Sequence, residues 1–309
     1  MTDSLIFAGT PSNAARTLEF LVQQGFEVSL VITRPDAPVG RKRVLTPSAV
    51  AAMAQKLGID VYKTKTIDDA AIERINQTGC DTAVVVAYGA LLKKPALECL
   101  SNGWFNLHYS LLPSWRGAAP VQHAILAGDK STGVTLFKID QGLDSGPLVA
   151  SVATEIQPGE TSGRLLSRLT ELGCSLLSQE LPGILLKGHR LVEQDAAVSV
   201  SLAPKLSREH ARIDWNQNSR VIERKVLAMN PEPGAWTLLN GEAFKIHDAR
   251  EVTVSETADV GTVAAVAGKV VVTSAGGGIE LLEIQPAGKK SMSASEWAKG
   301  ADLPVRFDA

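Results

Sequence analysis

The N-terminal part of the chain alternates short apolar runs with amphipathic stretches. The apolar, β-branched runs predict buried strands at residues 4–9, 26–33, 60–62, 82–87 and 103–108. Helical spacing predicts helices from residue 11 or 12 to Gly25, over 47–57 and over 68–77. Strands that alternate with helices indicate right-handed crossovers and a Rossmann-like parallel sheet, so the predicted fold class is α/β.

The middle of the chain has a different pattern. Runs at 133–139 and 148–156 predict a hairpin-like excursion of two strands, with Asp144 in the loop between them. Leucines at helical spacing over 161–183 predict a helix whose apolar stripe belongs to the core. Residues 192–204 are polar and rich in Ala and Ser, without a clear period, which is typical of a linker.

The C-terminal part predicts a second, smaller domain. One more helix is predicted over 213–229. Gly-rich turns then separate short β runs at 235–239, 243–249, 261–267, 270–274 and 279–286. Short strands at this density suggest a small OB-like β-barrel. We therefore predict an α/β domain at 1–189, a linker at 190–206 and a C-terminal β-barrel domain at 207–309.

Composition narrows the class of protein. The chain of 309 residues is 45% hydrophobic and 21% charged with a net charge of −2, so any nucleic-acid contact must come from local patches. Its three cysteines are widely spaced and indicate neither a disulfide framework nor a zinc site. No basic leader precedes the first apolar run, and no run approaches the roughly 20 apolar residues of a membrane span. We expect a cytoplasmic protein that contains no metal.

The most informative segment for chemistry runs from Phe105 to Asp144. Asn106 and His108 lie two residues apart on a predicted strand, so both side chains project to the same side. An amide, an imidazole and a carboxylate can together hold a developing oxyanion and move a proton. Each residue alone is more often structural, but the set favours a site for acyl or formyl transfer.

Neither common phosphate-binding motif is present. The first turn, Gly9-Thr10-Pro11, has one glycine where a dinucleotide fingerprint has three, and the chain has no P-loop pattern. This turn is as compatible with an unliganded βα connection as with a ligand contact. Arg116 fits a carboxylate or phosphate ligand, and it fits a solvated loop charge better still.

Residues 34–49 form a polar, Pro-punctuated loop at the edge of the sheet where parallel α/β folds bind ligands. This loop has more basic than acidic residues, and the basic ones are Arg34, Arg41, Lys42 and Arg43. A positively charged loop of this kind suits a contact with the phosphate backbone of a nucleic acid. A second basic cluster lies at 205–225, and ordinary helix surface explains it equally well.

Taken together, the motifs resemble the methionyl-tRNA formyltransferase family, within the enzymes that move a formyl group from 10-formyltetrahydrofolate. The likeness covers nearly the full chain. The residues that carry it are Phe7-Ala8-Gly9-Thr10-Pro11, the 34–49 loop, Ala87-Tyr88-Gly89, Asn106-Leu107-His108, Ser110-Leu111-Leu112-Pro113, Arg116-Gly117, Asp140 to Pro147 and Leu202-Ala203-Pro204-Lys205.

The resemblance implies roles for individual residues. Asn106, His108 and Asp144 are expected to be catalytic, without a covalent enzyme intermediate. The folate is expected to contact Ala87, Tyr88, Gly89, Leu92, Ser110, Leu111, Leu112, Pro113, Ile139 and Gln141. The methionyl initiator tRNA is expected to contact Arg34, Arg41, Lys42, Arg43 and Lys205. The resemblance also implies a monomer that does not bind membranes.

Three alternatives remain open at this point. The acceptor could be the amine of a sugar nucleotide or small ribonucleotide, or it could be water, which makes the reaction hydrolysis of the formyl-folate. The third alternative is a non-catalytic RNA-binding protein, which leaves Asn106, His108 and Asp144 unexplained.

Overall fold

The computed structural model describes residues 4–40, 43–254 and 258–308. The chain divides into two compact units. Unit 1 comprises Met1–Pro120, Ser131–Glu155 and Leu166–Ala203, and unit 2 comprises Val121–Lys130, Ile156–Leu165 and Pro204–Ala309. Each unit therefore draws on separate stretches of sequence, and each is described by itself.

The elements up to residue 203 are, in chain order, β1 (Ser4–Gly9), α1 (Ser12–Gln23), β2 (Glu27–Thr33), β3 (Ala37–Val39), β4 (Val44–Thr46), α2 (Ala49–Leu57), β5 (Val61–Lys63), α3 (Asp69–Asn76), β6 (Thr82–Val86), α4 (Lys94–Glu98), β7 (Gly103–His108), β8 (Arg116–Gly117), α5 (Pro120–Ala127), β9 (Ser131–Lys138), β10 (Leu148–Glu155), α6 (Ser162–Leu185) and β11 (Leu202–Ala203).

The main sheet of unit 1 has the strand order β10-β9-β7-β6-β1-β2-β5 among the described residues. The five strands from β7 to β5 pair in parallel, which confirms the predicted Rossmann-like sheet. The predicted pair at 133–139 and 148–156 is not a separate excursion, because β9 pairs antiparallel with β7 and β10 with β9. These two strands therefore extend the sheet at the edge that carries β7.

Burial explains why the strands form where the apolar runs lie. Every residue of β1 and of β6 is buried, as expected for strands covered by helices on both faces. Two helices have side-chain N-caps: Ser48 accepts a hydrogen bond from Ala51 N, and Asp68 accepts one from Ala71 N. Gly58 closes α2 in the left-handed conformation that glycine adopts readily.

The elements after residue 204 are α7 (Ser219–Met229), β12 (Trp236–Leu239), β13 (Glu242–Val252), β14 (Thr262–Val266), β15 (Lys269–Ser274), β16 (Gly277–Gln285), β17 (Met292–Ser293), α8 (Ala294–Ala298) and β18 (Val305–Arg306). The strands form an antiparallel sheet in the order β12-β13-β16-β15-β14-β18, and β17 pairs with β16. A bridge between Leu238 and Asp308 joins the two ends of this path. The sheet therefore curls as expected for an OB-like domain.

The last predicted helix begins later than expected. Residues 213–218 are not helical, because Asn218 caps α7 through its side chain and the N–H of Ile213 donates to the carbonyl of Trp236. Trp215 instead lies in the core of unit 2, where its ring stacks on Phe307 with centroids 5.3 Å apart. Among the described residues, no helix combines the length and apolar character needed to cross a bilayer.

Candidate active site

The carboxyl end of β7 carries the first two predicted catalytic residues. Asn106 pairs with Val85 on one side and Phe137 on the other, and His108 lies opposite Thr135. Because they are two residues apart on one strand, their side chains leave the sheet on the same face. Asn106 is partly exposed, and within the described part of the chain its amide has no protein hydrogen-bond partner. This amide is therefore available to a ligand.

The imidazole of His108 is only 5% exposed and is held by two groups. Its Nε2 lies 2.9 Å from the carbonyl oxygen of Trp115. A carbonyl can only accept, so this hydrogen bond requires the proton on Nε2 and leaves the lone pair on Nδ1. Nδ1 in turn lies 3.8 Å from Oδ2 of Asp144. The bare nitrogen thus faces a carboxylate.

Burial has the largest effect on the charge of His108. It lowers the pKa of the imidazole below its usual 6.5, although the Asp144 carboxylate and the Trp115 carbonyl both act to raise it. The ring is therefore neutral at pH 7 and able to accept a proton at Nδ1. Once there, the proton lies beside the negative charge of Asp144, which stabilises the imidazolium.

Asp144 is fixed through both its side chain and its backbone. Its φ of 48° places it in the left-handed region, which aspartate tolerates better than most residues. Oδ2 accepts a hydrogen bond from the N–H of Gly117 at 2.7 Å. Its carbonyl accepts one from the side chain of Gln194 at 2.8 Å. The carboxylate therefore depends on two distant segments for its position.

The turn at 110–115 holds the other partner of His108. Thr135, buried on β9, donates from Oγ1 to the carbonyl of Ser110 at 2.6 Å and accepts from Leu112 N at 3.2 Å. The hydroxyl of Ser110 donates to the carbonyl of Ser114 at 2.5 Å. The peptide before Pro113 is cis. These bonds fix the backbone that presents the Trp115 carbonyl to the imidazole.

The residues predicted to contact the folate lie in an apolar cluster, in the turn after β7 and at three exposed positions. Tyr88, Leu92 and Ile139 pack in one apolar cluster, whereas Ser110, Leu111, Leu112 and Pro113 form the turn beside His108. Ala87 and Gly89 flank Tyr88 as exposed residues with positive φ, so they offer backbone surface to a ligand. Gln141 is exposed in the loop that leads to Asp144.

Tyr88 is a structural phenol rather than an acid at neutral pH. Burial raises its pKa to about 12, against the opposing effect of the nearby Arg34 charge. Its hydroxyl donates to the carbonyl of Thr64 at 3.2 Å, and its own carbonyl accepts from Thr10 Oγ1 at 2.9 Å. The second bond links the carboxyl ends of β6 and β1.

The residues predicted to contact tRNA occur in both units. Arg34 donates to the carbonyl of Lys65 at 2.7 Å, so one of its nitrogens is already used within the protein. Arg43 lies exposed between the strands β3 and β4, which pair as a hairpin within the 34–49 loop. Lys205 is an exposed residue of unit 2. Arg41 and Lys42 lie outside the described residues.

Sequence reasoning missed three residues that support the site. Thr135 is one of several alternating positions of a strand, and Gln194 and Ser201 lie in a polar stretch without a period. Only the contacts with distant backbone distinguish them, and no local pattern encodes such contacts. Arg116, which the sequence left open, donates from Nη2 to Oε1 of Gln194 at 2.6 Å. It is therefore bound within the protein and is not a free surface charge.

Other reactive groups lie outside this arrangement. Burial is the main cause that raises the pKa of the Cys99 and Cys174 thiols, which disfavours thiolate chemistry. Cys80 is buried against Ser4. Across 4–40, 43–254 and 258–308, no group of three or more His, Cys, Asp or Glu side chains is placed to hold a metal ion.

Comparisons with known proteins identify the family of the chain. The formyl transferase family matches residues 3–181, and the formyl transferase C-terminal domain family matches residues 205–302. A curated methionyl-tRNA formyltransferase from Arthrobacter sp. (strain FB24) is 46% identical over 296 residues, which cover 96% of each chain.

Solved structures share the fold at low sequence identity. The sugar 3N-formyl transferase WlaRD, crystallised in the presence of dTDP and 5-N-formyl-THF, superposes with a TM-score of 0.68 at 18% identity, covering 94% of this chain and 100% of that one. A variant of HypX from Aquifex aeolicus superposes with a TM-score of 0.70 at 16% identity. The match covers all of this chain but only 49% of HypX. With both formyl transferase families matched and a relative that is 46% identical over nearly the whole length, the chain belongs to the methionyl-tRNA formyltransferase family.

Proposed function

We propose that this protein transfers the formyl group of 10-formyltetrahydrofolate to the α-amino group of methionyl initiator tRNA, giving formylmethionyl-tRNA for translation initiation. One observation carries the proposal: β7 carries both the Asn106 amide, which has no protein partner among the described residues, and His108, which is paired with Asp144. Relatives that share 46% of the sequence carry the corresponding name.

The residues around the strand ends fit a folate. Leu92 and Ile139, which pack partly buried against Tyr88 and its neighbours, supply apolar surface for an aromatic ring system. The exposed backbone at Ala87 and Gly89 supplies polar groups for the edges of the ring. The donor brings a formyl carbon whose leaving group is a folate nitrogen. The accessible members of the predicted folate set therefore suit this ligand, whereas Tyr88, Ser110 and Leu112 are buried.

Asn106 has the role of an oxyanion donor. When an amine attacks a formyl carbon, negative charge grows on the formyl oxygen. An amide N–H that no protein group occupies can donate to that oxygen without first breaking a bond. A donor of this kind lowers such barriers by roughly 3 kcal/mol.

His108 and Asp144 have the role of moving the proton. The attacking amine must be neutral, and it becomes acidic once it bonds to the formyl carbon. Nδ1 of the neutral imidazole can accept that proton, since Nε2 is already committed to Trp115. Asp144 stabilises the resulting cation, and the proton then passes to the leaving folate nitrogen. No enzyme nucleophile is required.

The macromolecular acceptor is supported by exposed cations in both units. The β3–β4 hairpin carries Arg43 at its turn and belongs to the basic 34–49 loop. In unit 2 the guanidinium of Arg208 lies 4.9 Å from the centre of the Trp236 ring, which forms a stacked, positively charged surface. Lys205 precedes this surface in the chain. Such groups suit phosphates and unpaired bases.

We assign residues 1–189 to catalysis, 190–206 to a linker and 207–309 to tRNA binding. We also propose that the protein is monomeric and cytoplasmic, where both substrates are found.

The test is transfer of labelled formyl from 10-formyltetrahydrofolate to methionyl initiator tRNA. Free methionine and a reaction without acceptor are the controls. Label on the charged tRNA alone supports the proposal. Label released as formate indicates hydrolysis, and label on an amino-sugar nucleotide or small ribonucleotide amine, with none on tRNA, indicates a different acceptor. His108→Ala distinguishes a binding protein from an enzyme, because transfer should be nearly abolished while RNA affinity remains.

A further inference from the structure

Residues 192–203, here called the strap, run along the two loops that hold the catalytic pair. Val192 forms a bridge with Leu148, the residue at which β10 begins. At the other end, β11 pairs in parallel with β8, so Leu202 lies against Arg116 and Ala203 against Gly117. The strap therefore connects the turn after β7 with the loop that contains Asp144, and all these residues belong to unit 1.

Gln194 bonds to both of these loops at once. Its Nε2 donates to the carbonyls of Asp144 and Gly146, at 2.8 and 2.9 Å. Its Oε1 accepts from Nη2 of Arg116 at 2.6 Å. The orientation of the amide is unambiguous, since carbonyls only accept and a guanidinium only donates. All three bonds satisfy groups that flank the catalytic carboxylate.

Ser201 holds the backbone that contacts the imidazole. Its Oγ accepts from the N–H of Trp115 at 2.8 Å, and its carbonyl accepts from the N–H of Arg116 at 2.9 Å. Trp115 has a φ of 60°, a conformation that a large side chain rarely adopts without support. Its carbonyl is the acceptor for Nε2 of His108.

The two strap residues therefore act on the two members of the proton-moving pair. Gln194 fixes the backbone of Asp144, and Ser201 fixes the acceptor that sets the tautomer of His108. Nδ1 and Oδ2 are 3.8 Å apart, which is longer than a hydrogen bond. Because no direct hydrogen bond joins the two side chains, the distance between them is set by the loops that carry them.

We propose that Gln194 and Ser201 are positioning residues for formyl transfer, acting through Asp144 and His108 respectively. This inference rests on the proposed function, because it concerns the rate of that reaction. It also extends the functional part of the catalytic unit beyond residue 189 into the segment that the sequence predicts to be a linker.

The test compares four variants with the wild-type protein, whose own transfer activity first establishes the reaction. Gln194→Ala and Ser201→Ala should lower kcat by about 10- to 100-fold, since small displacements at a reacting group have effects of this size. KM for both substrates should change little. Gln194→Glu retains an acceptor for Arg116 but cannot donate, and it should be as impaired as Gln194→Ala. Ser199→Ala, an exposed serine of the same strap, should match the wild type.

A double-mutant cycle separates positioning from general structural damage. In an Asp144→Asn background, Gln194→Ala should lower kcat by less than threefold, because the group that it positions is already disabled. An equal loss in both backgrounds overturns the role through Asp144, as does full activity of Gln194→Glu. Unchanged kcat in Ser201→Ala overturns the role through His108. Wild-type protein that transfers no formyl group contradicts the proposed function instead.

Discussion

The unprotonated Nδ1 of His108 faces Oδ2 of Asp144 across 3.8 Å, while the protonated Nε2 is held by Trp115. A neutral imidazole and a carboxylate gain little from this arrangement. A protonated imidazolium, in contrast, is attracted to the carboxylate as one charge to its opposite. The pair is thus arranged for the protonated state that arises during the reaction and not for the resting state.

Replacing the carboxylate should shift the titration of His108. Burial lowers the pKa of this imidazole and the charge of Asp144 raises it, so Asp144→Asn should lower the pKa further. The neutral form then persists to more acidic pH. NMR titration of the imidazole signals measures this directly, with Asp140→Asn in the same loop as the control that leaves the titration in place. A pKa that rises in Asp144→Asn would show that Asp144 does not stabilise the cation.

Two asparagines of unit 1 should respond in opposite ways to truncation. Asn106→Ala removes an amide without a protein partner, so kcat should fall about 10²- to 10³-fold while the thermal midpoint stays unchanged. Asn102 is buried and donates to Thr82 Oγ1 and to the carbonyl of Ile184. Asn102→Ala should lower the unfolding free energy by about 1–3 kcal/mol, from the unsatisfied groups that remain, with little change in kcat of the folded protein. Calorimetry measures the thermal midpoint of both variants, and transfer assays measure kcat. A lower thermal midpoint in Asn106→Ala would assign that residue a structural role.

Gly117 should not tolerate a side chain. Its φ is +126°, and a Cβ there would lie 2.7 Å from the carbonyl oxygen of Ala203. Gly117→Ala should therefore destabilise the protein and also displace the N–H that binds Asp144, so that kcat falls as well.

Gly159→Ala is the matched control, because Gly159 has a φ of +69° and open space around its Cβ position. This control should lose only about 1 kcal/mol from backbone strain, with full activity. Equal unfolding midpoints for the two variants in urea would contradict the proposed close approach of Ala203.

The basic loop should act through charge. Arg41→Ala is expected to raise KM for methionyl-tRNA more than KM for the folate, and the difference should shrink as salt increases. Arg74→Ala, which removes a guanidinium that is paired with Asp60, should leave both KM values unchanged. Steady-state kinetics at several salt concentrations measures these effects. An equal rise in KM for the folate would contradict a role in tRNA recognition.

The sequence predicted the parts of the fold that depend on local pattern. The seven strands of the main sheet of unit 1 appear where apolar runs lie, within two residues of the expected bounds, whereas the short strands β3, β4, β8 and β11 were not predicted. The spacing of Asn106 and His108 placed them on one face because side chains alternate along any strand. The proximity of Asp144 followed from the resemblance and not from a local rule.

The parts that escaped prediction depend on contacts between distant residues. That β9 joins the main sheet beside β7 depends on a pairing partner that periodicity does not encode. The loop before α7 depends on the cap at Asn218 and on a bond to Trp236. Gln194 and Ser201 lie in a stretch without a pattern of its own, and their hydrogen-bond partners are distant in sequence, at residues 115–116 and 144–146.

The closure of the unit 2 sheet has a consequence for the order of folding during synthesis. Phe307 lies in the core of this unit, and Asp308 makes the bridge to Leu238. The core therefore cannot close until residues 305–308 have left the ribosome, even though the segments 121–130 and 156–165 of the same unit emerge much earlier. Leu126, in the first of these segments, packs against this core and therefore lacks that contact until residues 305–308 are available. The core of unit 2 is thus expected to close later during synthesis than that of unit 1, whose last residue is Ala203.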